Sequence, residues 1–218
     1  MKCNNKLAIF DLDGTLIDSI RDITDNINAM LKYFGYKERT VEEVRTFVCF
    51  GAKELVRCAI AKDIGEEKLN DCVSYYNNLY TKSDSPKSKV FFGIKKVLKE
   101  LKKRGYTLVV LSNKPQQTLD KVYNIYLKNC GFQEVVGGSP ERKIKPDPSE
   151  VEKLLKKYSV EKENAYLIGD GETDVLAAVN ANINSVAVLW GYRDETALKK
   201  VGATTLIKKP SLLLTILK

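Results

Sequence analysis

Asp11 and Asp13 stand two positions apart in the segment FDLDGT, directly after the apolar run at 7–10. On an extended segment that spacing turns both carboxylates to the same side. If the substrate is a phosphate ester, Asp11 can attack phosphorus, and Asp13 can protonate the leaving oxygen and then deprotonate the hydrolytic water. Two further apolar runs end in reactive side chains. The run at 106–111 leads into Ser112 and Asn113, and the run at 165–168 leads into Asp170, with Asp174 four residues on. Carboxylates brought together repel, and their pKa values rise unless a cation compensates them. With oxygen ligands alone on offer, a hard ion is expected, most simply Mg²⁺, which keeps some waters and bridges to phosphate. Lys145, in the segment KPDP, is a candidate for countering phosphate charge.

These groups meet only if the runs are neighbouring strands. Apolar runs 7–10, 106–111, 165–168 and 185–189 alternate with helical patterns at 94–104, 115–129, 148–158 and 173–181. Strand–helix alternation implies βαβ units and a parallel sheet covered on both faces. Ligands then sit beyond the carboxyl ends of the strands, where the candidate residues lie. Residues 19–80 read as helices without a strand. Ile20, Ile23, Ile27, Met30, Leu31 and Phe34 recur at helical spacing, Gly35 is a stop, and Thr40 with Glu43 forms a capping box. SDSP at 83–86 then breaks the chain. The expected fold is therefore α/β, a Rossmann-like parallel sheet core from residues 1–15 and 87–218, with a helical cap domain at 16–86 inserted after the first strand.

Composition narrows the chemistry. The 218 residues include 36 Lys plus Arg, 28 Asp plus Glu, a net charge of +8 and no histidine. Ser-His-Asp and Cys-His nucleophile systems and His-ligated metals are thereby excluded. The excess positive charge falls in 87–168, where Lys95, Lys96, Lys99, Lys102, Lys103 and Arg104 crowd one helix. A solvated face is expected there. A non-catalytic nucleic-acid-binding protein is the remote alternative, since no stacking aromatics accompany the charge. Five scattered cysteines, Cys3, Cys49, Cys58, Cys72 and Cys130, without a C-x-x-C pair, point to a reducing compartment. No run reads as a signal core or membrane span. The expectation is a cytoplasmic enzyme, monomer or homodimer, acting on a small phosphorylated metabolite, with no nucleic acid or membrane partner.

The segments FDLDGTLIDS at 10–19, LSNKP at 111–115, KIKPDP at 143–148 and IGDGETD at 168–174, in that order, resemble the haloacid dehalogenase superfamily of phosphohydrolases. Within it the layout is most similar to the phosphoglycolate phosphatase branch, including VLWGYR at 188–193. The resemblance implies Asp11 as nucleophile, Asp13 as acid/base, Ser112 as phosphate-binding hydroxyl and Lys145 as phosphate-binding lysine. It implies Mg²⁺ held by Asp11, the backbone carbonyl of Asp13, and Asp170, with Asp174 behind them. It also points the loop from Cys49 to Lys53 at the substrate, so Gly51, Lys53 and Asn113 are expected to bind it. Relatives often have glycine where Cys49 stands, and commonly where Asn182 stands. Asp13 argues for phosphoryl transfer over dehalogenation. Ile23 occupies the position where β-phosphoglucomutases carry histidine, which favours water as acceptor. Phosphotransferase, mutase and pyrophosphatase activities of the same fold are the alternatives.

Overall fold

The structure, a computed structural model, describes residues 5–218. Its strands are β1 (Lys6–Phe10), β2 (Ile17–Asp18), β3 (Lys89–Val90), β4 (Tyr106–Pro115), β5 (Glu134–Gly138), β6 (Ala165–Gly169), β7 (Asn184–Val188) and β8 (Leu206–Ile207). Its helices are α1 (Ile20–Tyr33), α2 (Val41–Phe47), α3 (Ala52–Ile60), α4 (Glu66–Lys82), α5 (Ile94–Lys103), α6 (Gln116–Tyr126), α7 (Ser149–Tyr158), α8 (Glu172–Ala181), α9 (Glu195–Lys200) and α10 (Leu213–Ile216). Six strands form one sheet in the order β5-β4-β1-β6-β7-β8, all pairs parallel. The α/β expectation with a parallel sheet holds.

β1 lies between β4 and β6 and is buried on both faces, which is why it reads as unbroken apolar sequence. Ala8 and Phe10 join one apolar cluster with α5 and α6, while Leu7 and Ile9 join another with α7 and α8. In α5, Ile94, Val97, Leu98 and Leu101 point inward, and the neighbouring lysines form its exposed face. That period of three and four residues explains why so much positive charge is crowded there.

Helices α1 to α4 occupy the chain between β2 and β3. The expectation of helices without a strand holds inside 19–80, but β2 and β3 pair antiparallel at the two ends of the segment. With two residues each, they leave no periodicity to read. The Thr40–Glu43 capping box is formed in both directions. Gly35, at φ 74°, stops α1, its N–H donating to Lys32 and that of Tyr36 to Leu31. Asn182 ends α8 at φ 56°, the left-handed conformation that asparagine tolerates. The apolar cluster runs without interruption from Phe10 through Leu12, Leu16 and Ile17 into Ile23, Ile27, Val56 and Tyr80 of these helices.

β4 extends past the expected 106–111 to Pro115, with a shift in its pairing to β5 between Leu111 and Pro115. Such an irregularity re-aims side chains, and it carries Ser112, Asn113 and Lys114. β5 itself has little sequence signal, since two of its five residues are glycines at the sheet edge. Cys3 lies outside the described residues. Cys49, Cys58, Cys72 and Cys130 are free thiols. Among the described residues, no helix is long and apolar enough to cross a membrane.

Candidate active site

The carboxyl ends of β1, β4 and β6 converge on one pocket. Asp11 continues β1, its N–H donating to the Ile168 carbonyl of β6 at 2.9 Å. The following turn is shaped around Asp170. Gly14 has φ 89°, and a Cβ there would lie 2.1 Å from Asp170 Oδ2, so both the conformation and the space require glycine. Thr15 Oγ1 donates to Asp170 Oδ1 at 2.7 Å, and the Tyr192 N–H donates to Oδ2 at 2.8 Å. The DGT segment and the GYR segment thus fix Asp170 from opposite sides.

Asp174 sits in the first turn of α8, where Oδ2 accepts the Gly171 N–H at 2.9 Å. A carboxylate is favoured at that positive helix end. Lys145 crosses the pocket floor, its ammonium donating to Asp11 Oδ1 at 2.8 Å, Asp174 Oδ1 at 2.6 Å and the Leu111 carbonyl at 2.7 Å. Asp13 also lines the pocket but has different partners, taking a hydrogen bond from Ser19 Oγ and one from Lys114 Nζ at 3.0 Å.

The electrostatics are those of an under-neutralised acidic site. Burial pushes Asp11 up to about 6; Lys145 pulls the other way, against lesser repulsion from Asp174 and Asp13, but does not cancel the burial. Asp170 is raised well above the carboxylate range, first by burial and then by Asp11 and Asp174. Burial alone would lower Lys145, but Asp11 and Asp174 together leave it raised. Carboxylate oxygens of Asp11, Asp170 and Asp174 lie within 4.8 Å of one another. Asp170 is fully buried, and its two recorded donors are neutral. The donor set fits a small hard cation, since such an ion would supply the missing positive charge through oxygen ligands.

The sequence-selected residues do not all meet substrate space. Asp11, Asp13, Ser112, Asn113, Lys145 and Gly51 line the pocket, and Asp170 and Asp174 lie directly behind Asp11. Lys53 does not line it. That side chain is half exposed at the start of α3 and pairs with Glu66. Asn113 also differs from expectation. Its Nδ2 donates to the Cys49 and Lys145 carbonyls and its Oδ1 accepts the Lys145 N–H, each at 2.8 Å. Both amide protons are spent on backbone, so Asn113 positions the Cys49 loop and Lys145 rather than offering donors to a ligand. Cys49 has φ 93°, which explains why glycine suits the position, and burial raises its thiol well above the usual range.

Sequence reasoning passed over Lys114, although it lies inside LSNKP. Its side chain is buried, paired with Asp13, and 4.0 Å from the ring centre of Tyr80. Tyr76 and Tyr80 of α4 complete the apolar wall with Ile23, Val48 and Leu55. Nothing in a helix-period pattern separates two such tyrosines from ordinary core. Arg193 was equally hidden. Its guanidinium is buried, pairs with Glu172 at the start of α8, and donates to the Arg45, Thr46 and Val48 carbonyls.

Residues 8–188 match the profile of the haloacid dehalogenase-like hydrolases. The chain belongs to this family. It is 32% identical over 207 residues to phosphoglycolate phosphatase 1 of Pseudomonas aeruginosa, covering 93% of this chain and 76% of that one. It is 33% identical over 192 residues to a phosphoglycolate phosphatase of Pseudomonas fluorescens, covering 86% and 70%. Among solved structures, one described as a predicted phosphoglycolate phosphatase from Haemophilus somnus superposes with a TM-score of 0.89 at 25% identity over the whole of both chains. One described as a predicted phosphatase from Clostridium acetobutylicum gives 0.85 at 27% identity over 97% of each. As a haloacid dehalogenase-like hydrolase, the chain is an enzyme, and the order of its four segments is the order in which the fold delivers them to the pocket.

Proposed function

We propose that this hydrolase is a Mg²⁺-dependent phosphatase for a small phosphate monoester, with phosphoglycolate the foremost candidate because relatives at 32% and 33% identity carry that name. The observation that carries the reading is the pairing of two aspartates with two environments. Asp11 is grouped with Lys145, Asp170 and Asp174, while Asp13 pairs with Lys114 and Ser19. In the first step an Asp11 oxygen bonds to phosphorus and the ester P–O bond breaks. Asp13 gives its proton to the departing alcohol oxygen, leaving a phosphoryl group on Asp11. In the second step Asp13 takes a proton from water, water oxygen bonds to phosphorus, and the Asp11–phosphorus link breaks to release phosphate.

Ser112 and Lys145 hold the phosphoryl oxygens. Asp11, the Asp13 carbonyl and Asp170 would hold Mg²⁺, and Asp174 orients Lys145. The ion, when bound, supplies positive charge shared by the attacking carboxylate and the phosphoryl oxygens. Ile23 is buried in the pocket wall and presents only hydrocarbon there, which favours water over a second sugar as the acceptor. Residues 16–86 act as a cap on the core of 1–15 and 87–218, excluding bulk water and limiting the alcohol half to a small group. The free thiols fit a reducing cytoplasm. A phosphate-release screen over phosphoglycolate, sugar phosphates, nucleotides and pyrophosphate tests the reading. Release from a small monoester with Mg²⁺, abolished by chelator, is expected. Transfer of the phosphoryl group to an added sugar in place of water would overturn it.

A further inference from the structure

The two lysines of the pocket are not equivalent. Lys145 has three N–H groups and three protein acceptors within 2.8 Å, so it reaches a phosphoryl oxygen only by turning one N–H away from its protein partner. Lys114 is as deeply buried, but both of its acceptors are oxygens of one carboxylate, Asp13, at 3.0 and 3.3 Å. At least one N–H therefore remains uncommitted. Tyr80 holds the ammonium from the side, with its ring centre 4.0 Å away. Around it the lining combines Ile23, Val48 and Leu55 with the neutral polar side chains of Tyr76, Asn77, Tyr80 and Thr118, so Asp13 is the carboxylate partner that Lys114 has there. No other lysine or arginine lines the pocket among the described residues.

The location matters because Asp13, in the reading above, reaches the ester oxygen on the alcohol side. A cation touching Asp13 lies beside the alcohol half of the substrate and away from the phosphoryl half, which Lys145 serves. A neutral alcohol would leave the free N–H of Lys114 without an anionic partner. A carboxylate one carbon from the ester oxygen would receive it. We propose that Lys114 is the specificity-determining residue, and that it selects small phosphate esters whose alcohol half carries a carboxylate next to the ester carbon. This inference rests on the phosphatase reading and adds to it the residue that discriminates. With one such cation in the lining, the pocket is matched to a single carboxylate more than to a second phosphate, which favours several donors.

The test compares 2-phosphoglycolate with ethyl phosphate, which replaces the carboxylate by a methyl group and uses the same Asp13 chemistry. Wild-type protein is expected to prefer phosphoglycolate. Lys114→Met should lower the ratio of the two kcat/KM values about 10- to 100-fold, the range expected for a hydrogen bond to a charged group. The loss should fall mainly on KM for phosphoglycolate, and Lys114→Arg should recover part of it. Thermal unfolding checks that each variant folds, with Lys114→Gln as the substitute if the Met variant does not. An unchanged ratio, with both esters slowed alike, would show that Lys114 acts only through Asp13 and would overturn the proposal. Equal wild-type use of the two esters would overturn it as well, while leaving the phosphatase reading intact. Failure of wild-type protein to release phosphate from either ester would bring down both.

Discussion

At the scale of single residues, the site is a set of charges that tolerate one another only in combination. Lys145→Met would leave Asp11 and Asp174 facing each other without their shared cation. Breaking a buried pair in this way costs about 3–5 kcal/mol, and for a chain of this length each kcal/mol moves Tm by about 2–4 °C. A fall of roughly 6 °C or more is expected in chelated protein by calorimetry, and an unchanged Tm would contradict the assigned pairing. Cys49 gives a second prediction. At φ 93° any side chain is strained, so Cys49→Gly should be more stable than Cys49→Ala by about 1 kcal/mol. Equal denaturant midpoints would argue against the conformation. Asp11, Asp13, Ser112, Lys145 and Asp170 were legible in the sequence because each closes an apolar run or sits in a segment of fixed spacing. Lys114 was not, since a buried lysine beside a prolyl loop looks like a solvated one until its partner Asp13, 101 positions away, is seen beside it.

At the scale of elements, the parallel strands were legible from unbroken apolar runs, and the helices from their period and caps. What the sequence concealed is how the helical segment is tied to the core. Asn113 binds the Cys49 carbonyl from β4, and Arg193 binds the carbonyls of Arg45, Thr46 and Val48 from the loop after β7. These are side-chain-to-backbone contacts, which leave no pattern in the partner's residue types. They fix residues 45–49 against Glu172 and α8. Arg193→Ala removes a charged donor from three carbonyls, a loss of about 2 kcal/mol. KM for the phosphate ester should rise roughly 5- to 30-fold, and proteolysis near residues 45–51 should accelerate. Arg193→Lys should recover little, because a single ammonium cannot span Glu172 and three carbonyls. Unaltered KM and cleavage in Arg193→Ala would remove this contact from the account.

At the scale of the whole molecule, the positive balance of the chain and the acidity of its site are spatially separate. The lysines of α5 face solvent, while the buried cluster sets the single ammonium of Lys145 against the carboxylates of Asp11, Asp170 and Asp174. The consequence for stability has a definite sign. Asp11 is pushed up to about 6 from an ordinary 3.8, and Asp170 is raised as well. A folded-state pKa above the unfolded value means that the folded chain binds the proton more tightly, so stability falls as pH rises from about 4 to about 6. Chelated protein should therefore lose stability through Asp11 between about pH 4 and pH 6, and Mg²⁺ should restore it at pH 7. At a hundredfold excess over its Kd the ion adds about 2.7 kcal/mol, or roughly 5–10 °C in Tm. Asp170→Asn should abolish most of that response. A Tm indifferent to Mg²⁺ at pH 7 would contradict the metal assignment.

The central claim is that Asp11 attacks phosphorus, and its most direct test is acid-quenched mass spectrometry of the peptide carrying Asp11 during turnover of 2-phosphoglycolate with Mg²⁺. A transient gain of one phosphoryl group on Asp11 in wild-type protein is predicted, with neither the adduct nor phosphate release in Asp11→Asn of unchanged Tm. Undiminished phosphate release by that variant would contradict the account.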